Sequence, residues 1–121
     1  MILKYLVSLL FLTTTIMSCA QNNPNKSSIE LTISSTAFSA AVKQPGAQIL
    51  DVRTAGEYQS GHIANALQAN WLDPKEFKNR TQYLDKSKII YIYCQSGGRS
   101  ASAQAALMEA GFGAKLTEQQ V

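Results

Sequence analysis

The stretch that most constrains the fold is Lys88-Ile89-Ile90-Tyr91-Ile92-Tyr93, the strongest strand pattern in the chain. Its apolar residues fall on both faces of the strand, which is typical of the buried interior of a parallel sheet. A glycine-containing loop follows at once, and the alanine-rich residues 98–110 predict a helix that ends before Gly111. The strand is therefore expected to lie centrally in a sheet that helices cover on both sides.

The rest of the chain alternates strand-like and helix-like segments, with no internal repeat and no second domain. The predicted strands cover residues 30–33, 48–52, 66–71, 88–93 and 114–117, and the predicted helical segments cover residues 37–43, 54–58, 75–83 and 98–110. Ser34 or Ser35 is expected to cap the first helix and Asp73 the third, which has Pro74 in its first turn. This alternation predicts an α/β fold with a mostly parallel central sheet flanked by helices.

The first 18 residues have the pattern of a signal peptide. Lys4 precedes a short apolar run, residues 5–12, whereas a bilayer span needs about 20 apolar residues. Ile16-Met17-Ser18-Cys19 resembles the lipobox of bacterial lipoproteins, and this resemblance implies that Cys19 is lipidated and becomes the mature N-terminus. Residues 19–29 then form a polar tether before a folded domain at 30–121. An ordinary secretory signal with an incidental cysteine is the alternative.

Composition and charge limit the classes of partner that this chain is expected to bind. Hydrophobic residues make up 45% of the chain and charged residues 16%, a balance typical of a globular domain. The formal net charge of +3 falls to +2 without Lys4, and the basic residues are scattered, so a nucleic-acid partner is not expected. The lipid on Cys19 would instead attach the protein to a membrane, in the bacterial cell envelope and facing the periplasm.

Cys94 is the leading candidate for chemistry because it directly follows the central strand, and ligands of such sheets bind beyond the carboxyl ends of strands. A loop between a strand and a helix can point successive N–H groups at one anion. Gly97 and Gly98 permit the backbone angles of such a curl, and Arg99 adds a positive charge. This setting lowers a cysteine pKa from about 8.5 and would stabilise a persulfide as well.

The residues that other kinds of cysteine chemistry require are not found in this sequence. His62 is the only histidine and follows Gly61 in a different segment, where a turn hydrogen bond explains it, so a Cys–His pair is not favoured. The chain has no CxxC motif and no cluster of metal ligands, and no cofactor is implied. If Cys19 carries lipid, Cys94 is the one thiol of the folded domain.

The residues around Cys94 resemble the active-site loop and helix of rhodanese domains, and two earlier stretches resemble other signatures of that family. The matching stretches are Tyr93-Cys94-Gln95-Ser96-Gly97-Gly98-Arg99-Ser100-Ala101, Ala105-Ala106-Leu107, Gly111-Phe112, Leu50-Asp51-Val52-Arg53, Glu57-Tyr58 and Gly61-His62-Ile63-Ala64-Asn65-Ala66. The resemblance covers roughly residues 31–112. It implies a sulfurtransferase that takes sulfur from thiosulfate or a similar donor and passes it to a thiol, cyanide or a protein.

Carried over to this chain, the resemblance makes Cys94 the nucleophile and sulfur carrier. The substrate-binding residues are then Gln95, Ser96, Gly97, Gly98, Arg99 and Ser100, with Arg99 as the cation for the donor. Asp51 and Arg53 either support the pocket or serve structure alone, with Arg53 paired to Glu57. Tyr91 and Tyr93 are interpreted as core residues, and Trp71 as either core or pocket edge.

Two other functions stay open. A rhodanese module can hold sulfur or sense oxidants without turnover. Cysteine phosphatases and arsenate reductases are less favoured, because phosphatases of this fold have five residues between cysteine and arginine and this chain has four. The resemblance also implies a closing helix after the last strand, and that helix is missing from a chain that stops at Val121.

Overall fold

The computed structural model describes residues 31–117. The predicted signal peptide, the tether with Cys19 and the expected closing helix lie outside these residues. The described strands are β1 (Thr32–Ile33), β2 (Gln48–Asp51), β3 (Leu67–Gln68), β4 (Ile90–Tyr93) and β5 (Ala114–Thr117). The described helices are α1 (Ser35–Val42), α2 (Ala55–Gln59), α3 (Pro74–Thr81) and α4 (Gly98–Glu109).

The strands form one sheet in the order β1-β5-β4-β2-β3, and every pair in it is parallel. Strand β4 lies in the middle, with Ile92 opposite Leu50 of β2 and opposite Leu116 of β5. The predicted central parallel strand is thus confirmed, as is the α/β fold with flanking helices. All strands point the same way, so their carboxyl ends, including that of β4 just before Cys94, meet at one edge.

The two faces of β4 pack against different helices because successive side chains of a strand point to opposite sides. Ile90, Ile92 and Cys94 belong to the core cluster that contains Phe77 of α3 and Leu107 of α4. The two tyrosines of β4, Tyr91 and Tyr93, belong to the opposite cluster with Phe38 of α1. Their predicted place in the core is confirmed.

Trp71 packs on the α3 side of the sheet. Its ring meets the ring of Phe77 edge-on, at 5.0 Å between centroids. Of the two alternatives for Trp71, the structure favours the core.

Helix starts follow local sequence, whereas strand lengths do not. The side chains of Ser34, Thr54 and Asp73 cap α1, α2 and α3. The caps at Ser34 and Asp73 were predicted, whereas Thr54 was expected inside its helical segment and lies one residue before α2. The stretch 66–71, however, forms a strand only at Leu67–Gln68, which pair with Leu50 and Asp51 of β2. Beyond β3, the Ala69 and Trp71 amides still donate to the Asp51 and Val52 carbonyls. Among the residues described here, no helix has both the length and the apolar character needed to cross a membrane.

Candidate active site

The thiol of Cys94 is buried, 1% exposed, directly after β4, and the loop that follows curls around it. The backbone N–H groups of Gly97 and Ser100 donate to Sγ at 3.1 and 3.4 Å. The Ser100 hydroxyl oxygen lies 3.4 Å from the same sulfur. The predicted loop of converging amides is present, with one side-chain hydroxyl that the sequence did not indicate. Cys94 is the one cysteine within residues 31–117.

Only one of the two loop glycines uses its conformational freedom. Gly97 precedes α4 with φ of 93°, in the left-handed region that other residues rarely adopt. Gly98 is the first residue of α4, and a Cβ atom placed on it would meet nothing within 4 Å. Of the two glycines expected to permit the curl, only Gly97 adopts a backbone angle that favours glycine.

The surroundings of Cys94 act on its pKa in opposite directions. Burial is the largest single influence and raises the pKa of the thiol, because it disfavours the charged form. Hydrogen bonds from the Ser100 hydroxyl and from the amides of Ser100, Gly97 and Ser96 favour the thiolate. Together they outweigh burial, so the pKa of Cys94 lies below its ordinary value.

Arg99 is held by a carboxylate at the rim of this loop. Its Nη1 and Nη2 atoms donate to Oε2 and Oε1 of Glu57 at 2.8 and 2.9 Å. These hydrogen bonds raise the pKa of Arg99 and hold that of Glu57 well below its usual range. Glu57 is a site residue that the sequence reasoning missed. The Thr54-x-x-Glu57 spacing is that of a capping box, a local signal for a helix start that gives no indication of a partner 42 positions away.

Asp51 and Arg53 pair with each other, and the proposed Arg53–Glu57 pair is wrong. Arg53 donates to the buried Asp51 carboxylate through its backbone N–H and through Nε and Nη2, the last at 2.7 Å. Asp51 lies only two residues before Arg53, whereas both carboxylate oxygens of Glu57 accept hydrogen bonds from Arg99. Arg53 Nη2 also donates to the Gly61 carbonyl at 2.7 Å.

A cavity of about 220 Å³ opens at Cys94. It is lined by Arg53, Gly61, His62, Ile63, Tyr93 and Cys94. The Tyr93 hydroxyl accepts a hydrogen bond from the Ile63 amide at 3.0 Å, and burial raises the pKa of Tyr93 to about 12. Of the two residues expected to support the pocket, Arg53 lines the cavity, and Asp51 contributes only by holding Arg53. Gly61, Ile63 and Tyr93 were not anticipated as lining residues.

His62 makes the expected turn hydrogen bond. Its Nδ1 lies 2.8 Å from the Tyr58 carbonyl, and its ring stacks on the Tyr58 ring at 3.5 Å between centroids. The structural interpretation of His62 is confirmed in that respect, and its place beside the cavity is new. Among the described residues, no group of three or more histidine, cysteine and acidic side chains is arranged to hold a metal ion.

A larger cavity, about 810 Å³, lies along α1 and not at the thiol. It shares only Ile63 and Tyr93 with the cavity at Cys94, and its walls are mostly apolar and amide groups. The chemistry of the loop therefore assigns the candidate active site to the smaller cavity.

The fold and the site define a class of α/β protein in which one buried thiol lies in a ring of amides at the carboxyl end of a central parallel strand. The rhodanese-like domain family matches residues 34–118, more than half of the 121-residue chain, and the chain belongs to that family. The family resemblance found in the sequence is thereby confirmed.

Two curated relatives carry thiosulfate sulfurtransferase names. Over 71 residues the chain is 37% identical to thiosulfate sulfurtransferase GlpE of Coxiella burnetii, covering 59% of this chain and 64% of that protein. Over 76 residues it is 33% identical to thiosulfate sulfurtransferase 16, chloroplastic, of Arabidopsis thaliana, covering 55% of this chain and 63% of that protein. The chain thus spans just under two thirds of the length of these relatives.

Solved structures share the architecture. The crystal structure of a rhodanese-like domain protein from Staphylococcus aureus superimposes with a TM-score of 0.64 at 28% sequence identity. The superposition covers 74% of this chain and 85% of that one. The family match and the structural superposition therefore agree on a rhodanese-like α/β fold for this chain.

Proposed function

We propose that this protein is a sulfurtransferase that carries sulfane sulfur on Cys94, from thiosulfate or a similar donor to a thiol, cyanide or protein acceptor. The observation that carries the proposal is the set of hydrogen bonds to Sγ from the Gly97 and Ser100 amides, beside the Ser100 hydroxyl. These bonds favour a thiolate, which is the nucleophilic form of cysteine. The thiosulfate sulfurtransferase names of the relatives support the choice of donor.

The first half-reaction forms a persulfide. The Cys94 thiolate attacks the outer sulfur of thiosulfate, a new S–S bond forms at Sγ, and the S–S bond of the donor breaks. Sulfite leaves with the electron pair of that bond, so Cys94 ends as Cys–S–S⁻ and charge is conserved. No proton has to move in this step.

The second half-reaction transfers the outer sulfur of the persulfide to an acceptor. A thiolate or cyanide attacks the outer persulfide sulfur, the Cys–S–S bond breaks, and the Cys94 thiolate is restored. The amides that stabilise the thiolate can also stabilise the persulfide anion, and the 220 Å³ cavity beside Sγ has room for the extra sulfur. Cys94 has no second thiol beside it within residues 31–117, so the acceptor has to come from outside that domain.

Thiocyanate production tests the proposal. Purified full-length protein given thiosulfate and cyanide should form thiocyanate, Cys94→Ser should form none, and Cys19→Ser should match the wild type as the control for loss of a cysteine. Equal activity in Cys94→Ser would refute the assignment. A gain of one sulfur atom on Cys94 without thiocyanate would support a sulfur-binding or sensing module, and Cys94-dependent hydrolysis of an aryl phosphate would support a phosphatase.

We also propose that Cys19 is lipidated and attaches the domain to a membrane of the bacterial cell envelope, facing the periplasm. The lipobox-like stretch at residues 16–19 and the polar tether after it support this location. In a bacterial host, wild-type protein should sediment with membranes and enter the detergent phase, whereas Cys19→Ser should stay in the aqueous phase. Identical partitioning of the two proteins would rule out the lipid anchor.

A further inference from the structure

The contact that the proposed reaction does not yet explain is the pair between Arg99 and Glu57. It joins the first turn of α4 to α2 through two parallel hydrogen bonds, Nη1 to Oε2 and Nη2 to Oε1. Both side chains are only partly exposed, at 20% for Arg99 and 28% for Glu57. Two parallel bonds of this kind fix the plane of the guanidinium as well as its position.

Glu57 is anchored independently of Arg99. Its Oε2 accepts hydrogen bonds from the Thr54 amide at 3.0 Å and from the Thr54 hydroxyl at 2.9 Å. The Glu57 amide in turn donates to the Thr54 hydroxyl oxygen, which completes a reciprocal cap at the start of α2. The contacts with Thr54 therefore fix the position of the Glu57 carboxylate without any contribution from Arg99.

Arg99 is consequently held at both ends. Its backbone lies in the first turn of α4, next to Ser100, whose amide and hydroxyl contact the sulfur. Its guanidinium is fixed by Glu57 at the other end. An arginine has five N–H donors, and the contacts described here use two of them. The pair with Glu57 therefore leaves three donors for another group, on a side chain that is partly exposed and already ordered.

We infer that Glu57 is a positioning residue that holds Arg99 ready for an anionic sulfur donor, an inference that rests on the proposed function. Without Glu57, a donor would have to order the long arginine side chain itself, which corresponds to roughly a tenfold change in affinity. Removing the carboxylate would also unmask the arginine charge, but at a partly exposed rim such a charge effect is roughly fivefold or less. The loss of positioning is therefore expected to prevail.

Steady-state kinetics of Glu57→Gln test the inference. The KM for thiosulfate should rise about tenfold while kcat stays within about twofold, because the variant keeps Cys94 and its amides. Ser60→Ala is the matched control, since it removes a hydrogen bond of α2, Ser60 Oγ to the Gly56 carbonyl at 3.0 Å, and leaves the pair intact. Thr54→Val weakens the anchor of Glu57 and should shift the KM in the same direction by less.

A second readout does not depend on sulfur transfer. In a Cys19→Ser background, Cys94 is alkylated by iodoacetate, an anion, and by uncharged iodoacetamide, which both react with the thiolate by displacement of iodide. Glu57→Gln should lower the iodoacetate rate several-fold relative to the iodoacetamide rate. In an Arg99→Met background the same substitution should leave the ratio unchanged, because the arginine is then absent.

The outcomes separate the two claims. An unchanged or lower KM in Glu57→Gln, or an equal loss of rate with both reagents, would overturn the positioning role and leave Glu57 as a helix cap. A wild type that forms no thiocyanate would refute the proposed function, and the alkylation ratio would still test the pair. Circular dichroism spectra of all variants should match the wild type, which excludes misfolding as the source of a change.

Discussion

At the scale of single residues, Cys94 lies in two opposing environments. Burial among Ile90, Ile92 and Leu107 disfavours a charged sulfur, while amides of the loop and the Ser100 hydroxyl favour it. The amides prevail because several of them converge on one atom. A buried cysteine in an apolar cluster would otherwise be inert.

The Ser100 hydroxyl is expected to contribute measurably to this balance. Ser100→Ala should raise the pKa of Cys94, because the thiolate loses the hydrogen bond of the Ser100 hydroxyl. The rate of iodoacetamide alkylation of Cys19→Ser protein, followed against pH, should inflect below the ordinary cysteine value and move upward in the variant. Ser102→Ala, an exposed serine of the same helix, is the control and should leave the inflection in place.

The lowered pKa of Glu57 predicts that the free energy of unfolding falls at acidic pH. Its pKa is held down chiefly by the hydrogen bonds from Arg99 and then by those from Thr54. A carboxyl group whose folded pKa is lowered stabilises the fold above its unfolded pKa, near 4.3, and this stability is lost as the pH falls toward the folded pKa. Urea unfolding should show a smaller drop between pH 5 and pH 2.5 for Glu57→Gln than for the wild type. An equal drop in both would contradict the pairing.

At the scale of elements, the start of α4 determines the shape of the loop. Gly97 takes a left-handed conformation there and lets the chain turn back so that its own amide meets the sulfur. Gly98 is already helical and has open space where a side chain would lie. Two adjacent glycines thus have different tolerance for substitution.

The two glycines should respond in opposite ways to alanine. Gly97→Ala should lower the free energy of unfolding by about 1–2 kcal/mol, the cost of a left-handed alanine, and should lower the reactivity of Cys94. Gly98→Ala should raise the free energy of unfolding by roughly 0.4–1 kcal/mol, because alanine restricts the unfolded chain and suits a helix. Thermal unfolding of both variants, with the alkylation rate of Cys94, measures the contrast. Destabilisation of similar size in both would contradict it.

At the scale of the whole molecule, Gln104 joins three parts of the chain. This residue of α4 is buried, and its Nε2 donates to the Leu31 carbonyl at 2.6 Å and to the Ala114 carbonyl at 3.1 Å. The same Leu31 carbonyl accepts the Leu116 amide of β5. Gln104 therefore links the helix behind the active-site loop to β1 and β5 at once.

Removing that link should cost stability without changing the chemistry of the thiol. Gln104→Ala leaves buried carbonyls with fewer donors and should lower the free energy of unfolding by about 1–3 kcal/mol. Gln82→Ala, the same change at the exposed residue that follows α3, should cost less than about 0.5 kcal/mol. Urea titrations of the two variants provide the comparison, and equal losses would contradict the role assigned to Gln104.

Much of this protein follows from local sequence. The alternation of strand-like and helix-like segments predicted the α/β fold. A serine cap and an aspartate cap predicted the starts of α1 and α3, and the place of Cys94 after a strand apolar on both faces predicted the candidate site. These features need only the residue and its near neighbours, because helix caps and side-chain alternation act over a few positions.

Tertiary structure alone decided the partners across long separations. The extent of β3 depends on where β2 runs beside it, and Arg99 meets Glu57 only because the carboxyl ends of β2 and β4 meet at one edge of the sheet. Arg53 pairs with Asp51 although Glu57 is also near in sequence, since Glu57 is turned toward α4. Such choices depend on distances between elements, and those distances exist only once the sheet has assembled.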